Sequence, residues 1–445
     1  TKWMFGLPKI NGGFFDIVIG NPPYVKVQNI SKNQTDYFKK TFVSAKGKYD
    51  IYVLFIENSI RNLIKENGQV IFINPHRFMI ADYGFGLRNY LIEKKAIEKI
   101  LVFGVEQVFD AATTYTGIFF FSKNSKNISF CEADNLELND LEFKRYEFSQ
   151  IGAVWSFKNE NSTNLLDKLT KHKLVKNIFQ GIFQGLISMG DDIQMLDGKI
   201  IEDKFIGFSK RLQMNIEIES SLMKPILKGE NIQRYSELKT SLYVFYPHIE
   251  NEKNKTIPIN EVTFKKQYPL GYNYIFNFKN ELEEKKIKYK TNSKHWYSLH
   301  RSRELSLFNS EKIITPQLQN KSSFTIDKNS FFPDAGGYML IKKENDLIDL
   351  KVYLGIFNSS LFYYFIKQTS TPYNNNYYYF KTNYIQPFSI PEINETFQVL
   401  IIPIVEKIIS LKLLYEDTSL LENEINKLVY DLYNLTDDEI AIIEQ

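Results

Sequence analysis

The sequence predicts an α/β fold: the C-terminal half of a Rossmann-like sheet, followed by a mixed α+β region and a closing helical segment. Three observations carry this. Short apolar runs alternate with helical spacing through the first 150 residues, the alternation is lost from 151 to 390, and helical spacing returns over 391–445. Taken in order, Phe14 to Gly20 is a continuous apolar run of the kind that forms a strand buried on both faces. It ends at Asn21-Pro22-Pro23-Tyr24, which cannot continue a strand. Lys48 to Leu63 has helical spacing and stops at Asn67-Gly68. Gln69 to Asn74 is a second buried strand closed by Pro75, and a helix is expected from Gly84 to Lys94. Ile97 to Phe103 and Thr116 to Phe121 make a third and a fourth strand, the short link between them implying an antiparallel last strand. Four strands beginning with a central-looking one would leave an apolar edge unpaired, so further strands are expected upstream or from another chain.

The middle region reads as short strands and turns with few clear helices. Strand-like pieces are Ser241 to Tyr246, Lys312 to Pro316, Phe324 to Asp327 and Tyr338 to Ile341. The tyrosine-rich stretch starting at Tyr373 reads as a loop, and the tail helices run through Ile408, Leu411, Leu414, Leu420, Ile425, Leu428, Val429 and Leu432.

Composition excludes several classes. No run of 18 apolar residues exists, which argues against a helical membrane span. One cysteine, Cys131, and five scattered histidines give neither a disulfide framework nor a metal site, and a cytoplasmic setting fits. Net charge is only +3, but Lys285 to Lys312 holds eight Lys or Arg against two Glu, interleaved with Tyr289, His295, Trp296, Tyr297 and His300. A solvated helix face accounts for that charge; the aromatics add a reason to read it as nucleic-acid binding.

Asn21-Pro22-Pro23-Tyr24 carries the chemistry. An exocyclic amino group is a poor nucleophile because its lone pair is delocalised into the base. A carboxamide oxygen and a backbone carbonyl that accept its two N–H bonds draw it toward tetrahedral geometry and aim the lone pair at a methyl donor. Asn21 and the carbonyl of Pro22 suit these roles, consecutive prolines fix the loop, and Tyr24 offers a ring for an extruded base. Ligands of open α/β sheets bind beyond the carboxyl ends of the strands, where this loop falls.

On these residues the chain resembles the amino-methyltransferases that modify adenine N6 in DNA. Gly13 to Val25 resembles their motif IV, Lys48-Tyr-Asp-Ile-Tyr-Val-Leu-Phe-Ile-Glu motif V, and Gly68-Gln-Val-Ile-Phe-Ile-Asn-Pro motif VI. Val108-Phe-Asp-Ala-Ala-Thr-Thr-Tyr-Thr resembles motif VIII, where the resemblance assigns Phe109 to the second face of the adenine pocket. Further on, Gln184-Gly-Leu-Ile-Ser, Lys224-Pro-Ile-Leu-Lys-Gly-Glu-Asn-Ile-Gln-Arg-Tyr, Trp296-Tyr-Ser-Leu-His-Arg and Lys312-Ile-Ile-Thr-Pro are similar to type IIG restriction-modification enzymes.

The resemblance implies a partial catalytic domain over 1–150, a target-recognition domain over 151–390 that grips double-stranded DNA, and a helical tail over 391–445. It implies S-adenosyl-L-methionine as cofactor, with Asn21, Pro23 and Asp50 on its side of the site, although a helix-start role explains Asp50 equally. The family's glycine-rich cofactor motif is not found before Gly12-Gly13, and Asp334-Ala-Gly-Gly-Tyr lacks a strand-loop-helix context. The chain is therefore expected to be a C-terminal fragment partnered by a missing N-terminal half, in a nucleoid-associated bacterial enzyme. No Asp…Glu-x-Lys nuclease is found, so any endonuclease is expected in the missing part. Arg234, Trp296, Tyr297, Arg301, Arg303 and Lys312 are the candidate DNA contacts. Two other readings stay open: a specificity module with no activity of its own, and a glutamine methyltransferase of the release-factor type, which poses the same lone-pair problem but ends soon after its catalytic domain.

Overall fold

In the computed structural model the described residues are 13–103, 108, 116–133, 138, 141–151, 155, 157, 165–291, 293–370, 372–373 and 377–444. The chain divides into two compact units, 1–163 and 164–445. Among the described residues no helix is long and apolar enough to cross a membrane.

The first unit is built on one sheet of strands β1 (Phe15–Gly20), β2 (Ile64–Pro75), β3 (Lys99–Val102), β4 (Thr116–Ser122), β5 (Ile128–Glu132) and β6 (Lys144–Tyr146), in the order β1-β2-β4-β3-β5-β6. β1 runs parallel to β2 and β3 parallel to β5, whereas β4 is antiparallel to both of its neighbours. The antiparallel direction is the one the short link implies, but β4 lies inside the sheet and not at its end. Its sequence suits that place: Phe119 and Phe121 are fully buried, and a Cβ on Gly117 would come within 2.7 Å of the Leu101 carbonyl, so a bare backbone lets β3 approach. Helices α1 (Tyr52–Asn58) and α2 (Phe85–Glu93) cover the sheet with Tyr52, Val53, Leu54, Ile56, Leu87 and Leu91 buried.

β1 is not the doubly buried strand that its apolar run predicts. It is the edge strand, with Phe15 48%, Ile17 59% and Ile19 74% exposed, because only β2 flanks it among the described residues. A flat apolar edge of this kind is a template for pairing.

The second unit contains more helix than its sequence suggests. An antiparallel sheet of Thr325–Asp327, Lys312–Pro316, Gly337–Lys342 and Phe179–Gln184 shares a core with helices Leu350–Phe357, Ser360–Thr369, Glu395–Leu413 and Ser419–Leu432. The side chains of Asp349, Ser359 and Asn394 cap three of these helices by accepting first-turn amides. The helices after Pro391 thus belong to this core. A second sheet, Met214–Glu219, Lys204–Ser209, Met195–Ile201, Leu242–Phe245, Met223–Leu227 and Phe332–Pro333, packs on helices Glu261–Gln267, Pro269–Phe276 and Lys279–Lys288. The last of these is the charged helix face that the sequence suggests from Glu281 onward, whereas the first two are not expected from sequence, because charged residues such as Lys265 and Lys266 interrupt the apolar spacing. The tyrosine-rich stretch read as a loop forms two short paired strands, Pro372–Tyr373 and Tyr377–Tyr379.

Candidate functional site

β1 and β2 are parallel and in register at Gly20 opposite Phe72, so both chains leave the sheet at the same end. Asn21 and Pro23 emerge exposed, Pro22 is buried and Tyr24 is half-buried. Tyr24 is fixed at both ends: its hydroxyl donates to the Ile73 carbonyl at 3.1 Å, and its ring meets Tyr52 edge-on at 6.2 Å. Tyr52, fully buried, shares a hydroxyl–hydroxyl hydrogen bond of 3.0 Å with Tyr83 and packs on Phe78, which in turn touches Phe119 and Trp155. Burial pushes the Tyr24 phenol up to about 12, so it stays a neutral donor.

The chain after the loop is clamped to the start of α1. Val27 N–H donates to the Tyr49 carbonyl and Ile51 N–H to the Val25 carbonyl, each at 2.9 Å, closing a bridge between Lys26 and Asp50. Asp50 is thereby brought to the same end of the sheet as Asn21. Burial raises its carboxyl pKa, against the pull of Lys26 and Arg77. Sequence reasoning missed Glu57, whose fully buried carboxylate accepts from Ser44 N–H at 2.8 Å, Ser44 Oγ at 2.7 Å and Arg61 at 2.8 Å, tying the preceding loop to α1. It also missed Asn74 and Thr116, buried where β2 ends and β4 begins, whose Oδ1 and Oγ1 find no hydrogen-bond partner among the described residues. Phe109 lies outside the described residues.

The candidate DNA contacts divide differently from expectation. Trp296 and Tyr297 are interior residues, 2% and 0% exposed; Trp296 Nε1 donates to Glu261 at 3.1 Å and the Tyr297 hydroxyl to the Ile259 carbonyl. Lys312 is fully buried because its strand register sets it opposite Asp327, to which it is paired at 2.6 Å. Arg234 pairs with Glu422 at 2.6 Å, both side chains nearly enclosed. These four side chains hold the unit together, and their place inside it corrects the reading of them as surface contacts. Arg303 is half-buried, donating through Nε to the Gly185 carbonyl at 3.0 Å. Of the six, only Arg301 is exposed.

The stretch 285–312 is therefore divided: Lys286, Trp296, Tyr297 and Lys312 are interior, while Lys288, Tyr289, Lys290, Lys294 and Arg301 are exposed. Lys286 is buried, donating to Ser298 Oγ at 2.7 Å and the Leu299 carbonyl at 3.1 Å, and burial lowers its pKa to about 8. Beside it His248 is buried, and burial, then the charges of Lys286 and His295, hold it down to about 3. A histidine neutral in the fold but protonated when unfolded costs stability in acid. The contribution is complete above pH 6.5 and is lost progressively as pH falls toward 3. His248→Gln should flatten this acid limb in urea titrations between pH 4 and 7; an unchanged limb would show that His248 is charged in the fold.

Comparison with known proteins agrees with this division. Residues 1–109 match the Eco57I restriction-modification methylase family and residues 224–390 the TaqI-like C-terminal specificity domain. The chain is 30% identical over 360 residues to the Escherichia coli type II restriction enzyme and methyltransferase RM.Eco57I, covering 75% of this chain and 36% of that protein. The chain is a homologue of type II restriction-modification methyltransferases. Against the type II methyltransferase M.HincII of Haemophilus influenzae it is 26% identical, over 79% of this chain and 69% of that one. The fold of 96% of the chain matches 56% of the type IIL restriction-modification enzyme MmeI, solved with DNA, at a TM-score of 0.65 and 12% identity. The homologue thus spans about a third of RM.Eco57I and over half of MmeI. Its first unit carries the Eco57I-type methylase match and its second the specificity-domain match.

Proposed function

We propose that the chain carries the methyl-transfer loop and the target-recognition part of a site-specific DNA adenine-N6 methyltransferase of a restriction-modification system. The observation that carries this reading is the loop Asn21-Pro22-Pro23-Tyr24, held at the open end of a parallel strand pair by the Tyr24–Ile73 hydrogen bond and the clamp on Asp50. Asn21 Oδ1 and the Pro22 carbonyl accept the two N–H bonds of an adenine amino group, Tyr24 stacks on the extruded base, and Phe109 closes its other face. The polar strand ends fit S-adenosyl-L-methionine on one side: Asp50 supplies an acceptor for its hydroxyl or ammonium groups, with Asn21 and Pro23 beside it. When bound, that cofactor supplies an electrophilic methyl group. The adenine amino nitrogen would take the methyl as the donor's sulfur–methyl bond breaks, that electron pair staying on sulfur as a neutral thioether; Asn21 Oδ1 and the Pro22 carbonyl hold the N–H bonds as they grow more positive, and the proton lost from nitrogen passes to solvent water.

The exposed apolar edge formed by Phe15, Ile17 and Ile19 supports a further proposal, that more strands complete this sheet and contribute the rest of the cofactor pocket. The same edge favours a second reading for the chain by itself, a DNA-specificity module without turnover. Incubating the 445-residue chain and the full gene product separately with labelled S-adenosyl-L-methionine and duplex DNA distinguishes these. Both should bind DNA, and only the full product should place label on adenine. Label transfer by the chain alone would refute the need for a completed sheet, and label on cytosine or on protein would refute the adenine assignment.

A further inference from the structure

The specificity unit contains an open cleft of about 460 Å³ whose lining includes none of the predicted DNA contacts, although Arg301 and Arg303 stand against the segments that form it. Three segments build it: the end of strand Phe179–Gln184 with the turn after it, the Asp334–Gly337 turn, and Tyr289 with His300. The turn is pressed onto the strand end so closely that a Cβ on Gly185 would lie 2.2 Å from the Pro333 and Asp334 carbonyls. Leu186 N–H donates to the Pro333 carbonyl at 3.0 Å, Gln184 Nε2 to the Ala335 carbonyl at 2.9 Å, and Arg303 braces Gly185 from behind. This bracing makes a rigid, concave surface.

Two carboxylates line it, Asp334 and Asp191. Asp334 keeps one oxygen on Gly336 N–H at 2.8 Å and has a second to offer. Asp191 accepts from Ser188 Oγ and faces the same space. His300 lines the cleft with a buried Nδ1 that has no hydrogen-bond partner among the described residues. Tyr289, 57% exposed, meets His300 at 5.8 Å between ring centroids, offering an aromatic wall. Of the cations nearby, Arg301 is exposed beside the Ile187 bridge, whereas Lys285, whose Nζ lies against Gly190, is already paired with Glu281 at 2.7 Å. Carboxylates inside repel a phosphate, and no group of three metal-binding side chains occurs among the described residues. What fits carboxylates within and an exposed cation nearby is a base edge that donates hydrogen bonds, flanked by its own phosphates.

We propose that this cleft reads one base of the recognition sequence, taking the exocyclic amino group of a cytosine or an adenine on the carboxylates of Asp334 and Asp191. The proposal rests on the DNA-methylation reading above. Guanine and thymine present only acceptors in the major groove and are excluded by charge and lone-pair repulsion. Burial raises the Asp334 carboxyl, and the Asp191 charge adds to this, so a donor shared between the two relieves an existing repulsion.

The test uses the full gene product on duplexes randomised across its recognition sequence, with methylated products sequenced. Asp334→Asn keeps an oxygen for Gly336 N–H but replaces an acceptor with a donor, and Asp191→Asn does the same across the cleft. Each should lower discrimination at one position by roughly 10-fold or more, with the other positions and the methylated adenine unchanged. The base preferred there by the unaltered protein should be cytosine or adenine, and the library tells which. An unchanged profile in both variants, a uniform loss of rate across all sequences, or a preference for guanine or thymine would overturn the cleft assignment while leaving the methylation reading intact. Absence of methylation by the unaltered protein removes that reading itself.

Discussion

Asn21→Ala in the full gene product should reduce methyl transfer by on the order of 100- to 1,000-fold, the scale set by removing one preorganised polar partner of a developing charge. DNA affinity should stay within about twofold, since most phosphate contacts are expected from the specificity unit. The separation follows from structure. Asn21 is exposed at the end of β1 and its side chain makes no hydrogen bond among the described residues, whereas Tyr24 is tied to Ile73 and Tyr52. Removing Asn21 should therefore cost chemistry without stability. Single-turnover rates and filter binding on the same duplex check both halves, and a parallel loss of affinity would mean that Asn21 anchors the base and does not activate it.

The largest stability effect should come from Lys312. Its ammonium and the Asp327 carboxylate are both fully enclosed and 2.6 Å apart. Each is further satisfied: Lys312 by the Phe308 and Ser310 carbonyls, Asp327 by Asn329 N–H at 2.8 Å and Phe331 N–H at 2.9 Å. Lys312→Ala leaves a buried carboxylate without its cation and should cost on the order of 3–5 kcal/mol in urea unfolding of the specificity unit. Lys312→Met combined with Asp327→Leu should recover most of that, because well-packed apolar pairs of similar volume replace buried ion pairs at little cost. Full stability of the single variant would contradict the enclosed pair, and failure of the double variant to recover would mean that the backbone bonds of Asp327 matter more than its charge.

How far the molecule is legible from sequence varies by region. The loop Asn21-Pro22-Pro23-Tyr24 was legible as the end of a strand because its prolines cannot continue one, and β1, β2 and β4 have long apolar runs. The place of β4 within the sheet was not, since strand order depends on the non-local packing of Phe119 and Phe121. The DNA surface was misread where side-chain type stood in for exposure. Lys312 and Arg234 are charged but meet Asp327 and Glu422, the latter partner 188 residues away in sequence. Trp296 and Tyr297 fill a core whose helices, broken by lysines, carry a weak apolar period. The cleft at Asp334 is not visible in the sequence because its three segments are far apart in the chain and become neighbours through the close packing at Gly185 and the Ile187–Arg301 bridge.

The central claim is that Asn21-Pro22-Pro23-Tyr24 methylates adenine N6 at a site chosen by the second unit. It is tested most directly by mapping modified bases in the genome of a bacterium carrying the full gene, beside one carrying the Asn21→Ala form. The account predicts N6-methyladenine at a single sequence motif in the first and none at that motif in the second. Modification persisting with Asn21→Ala, or found only on cytosine, would contradict it.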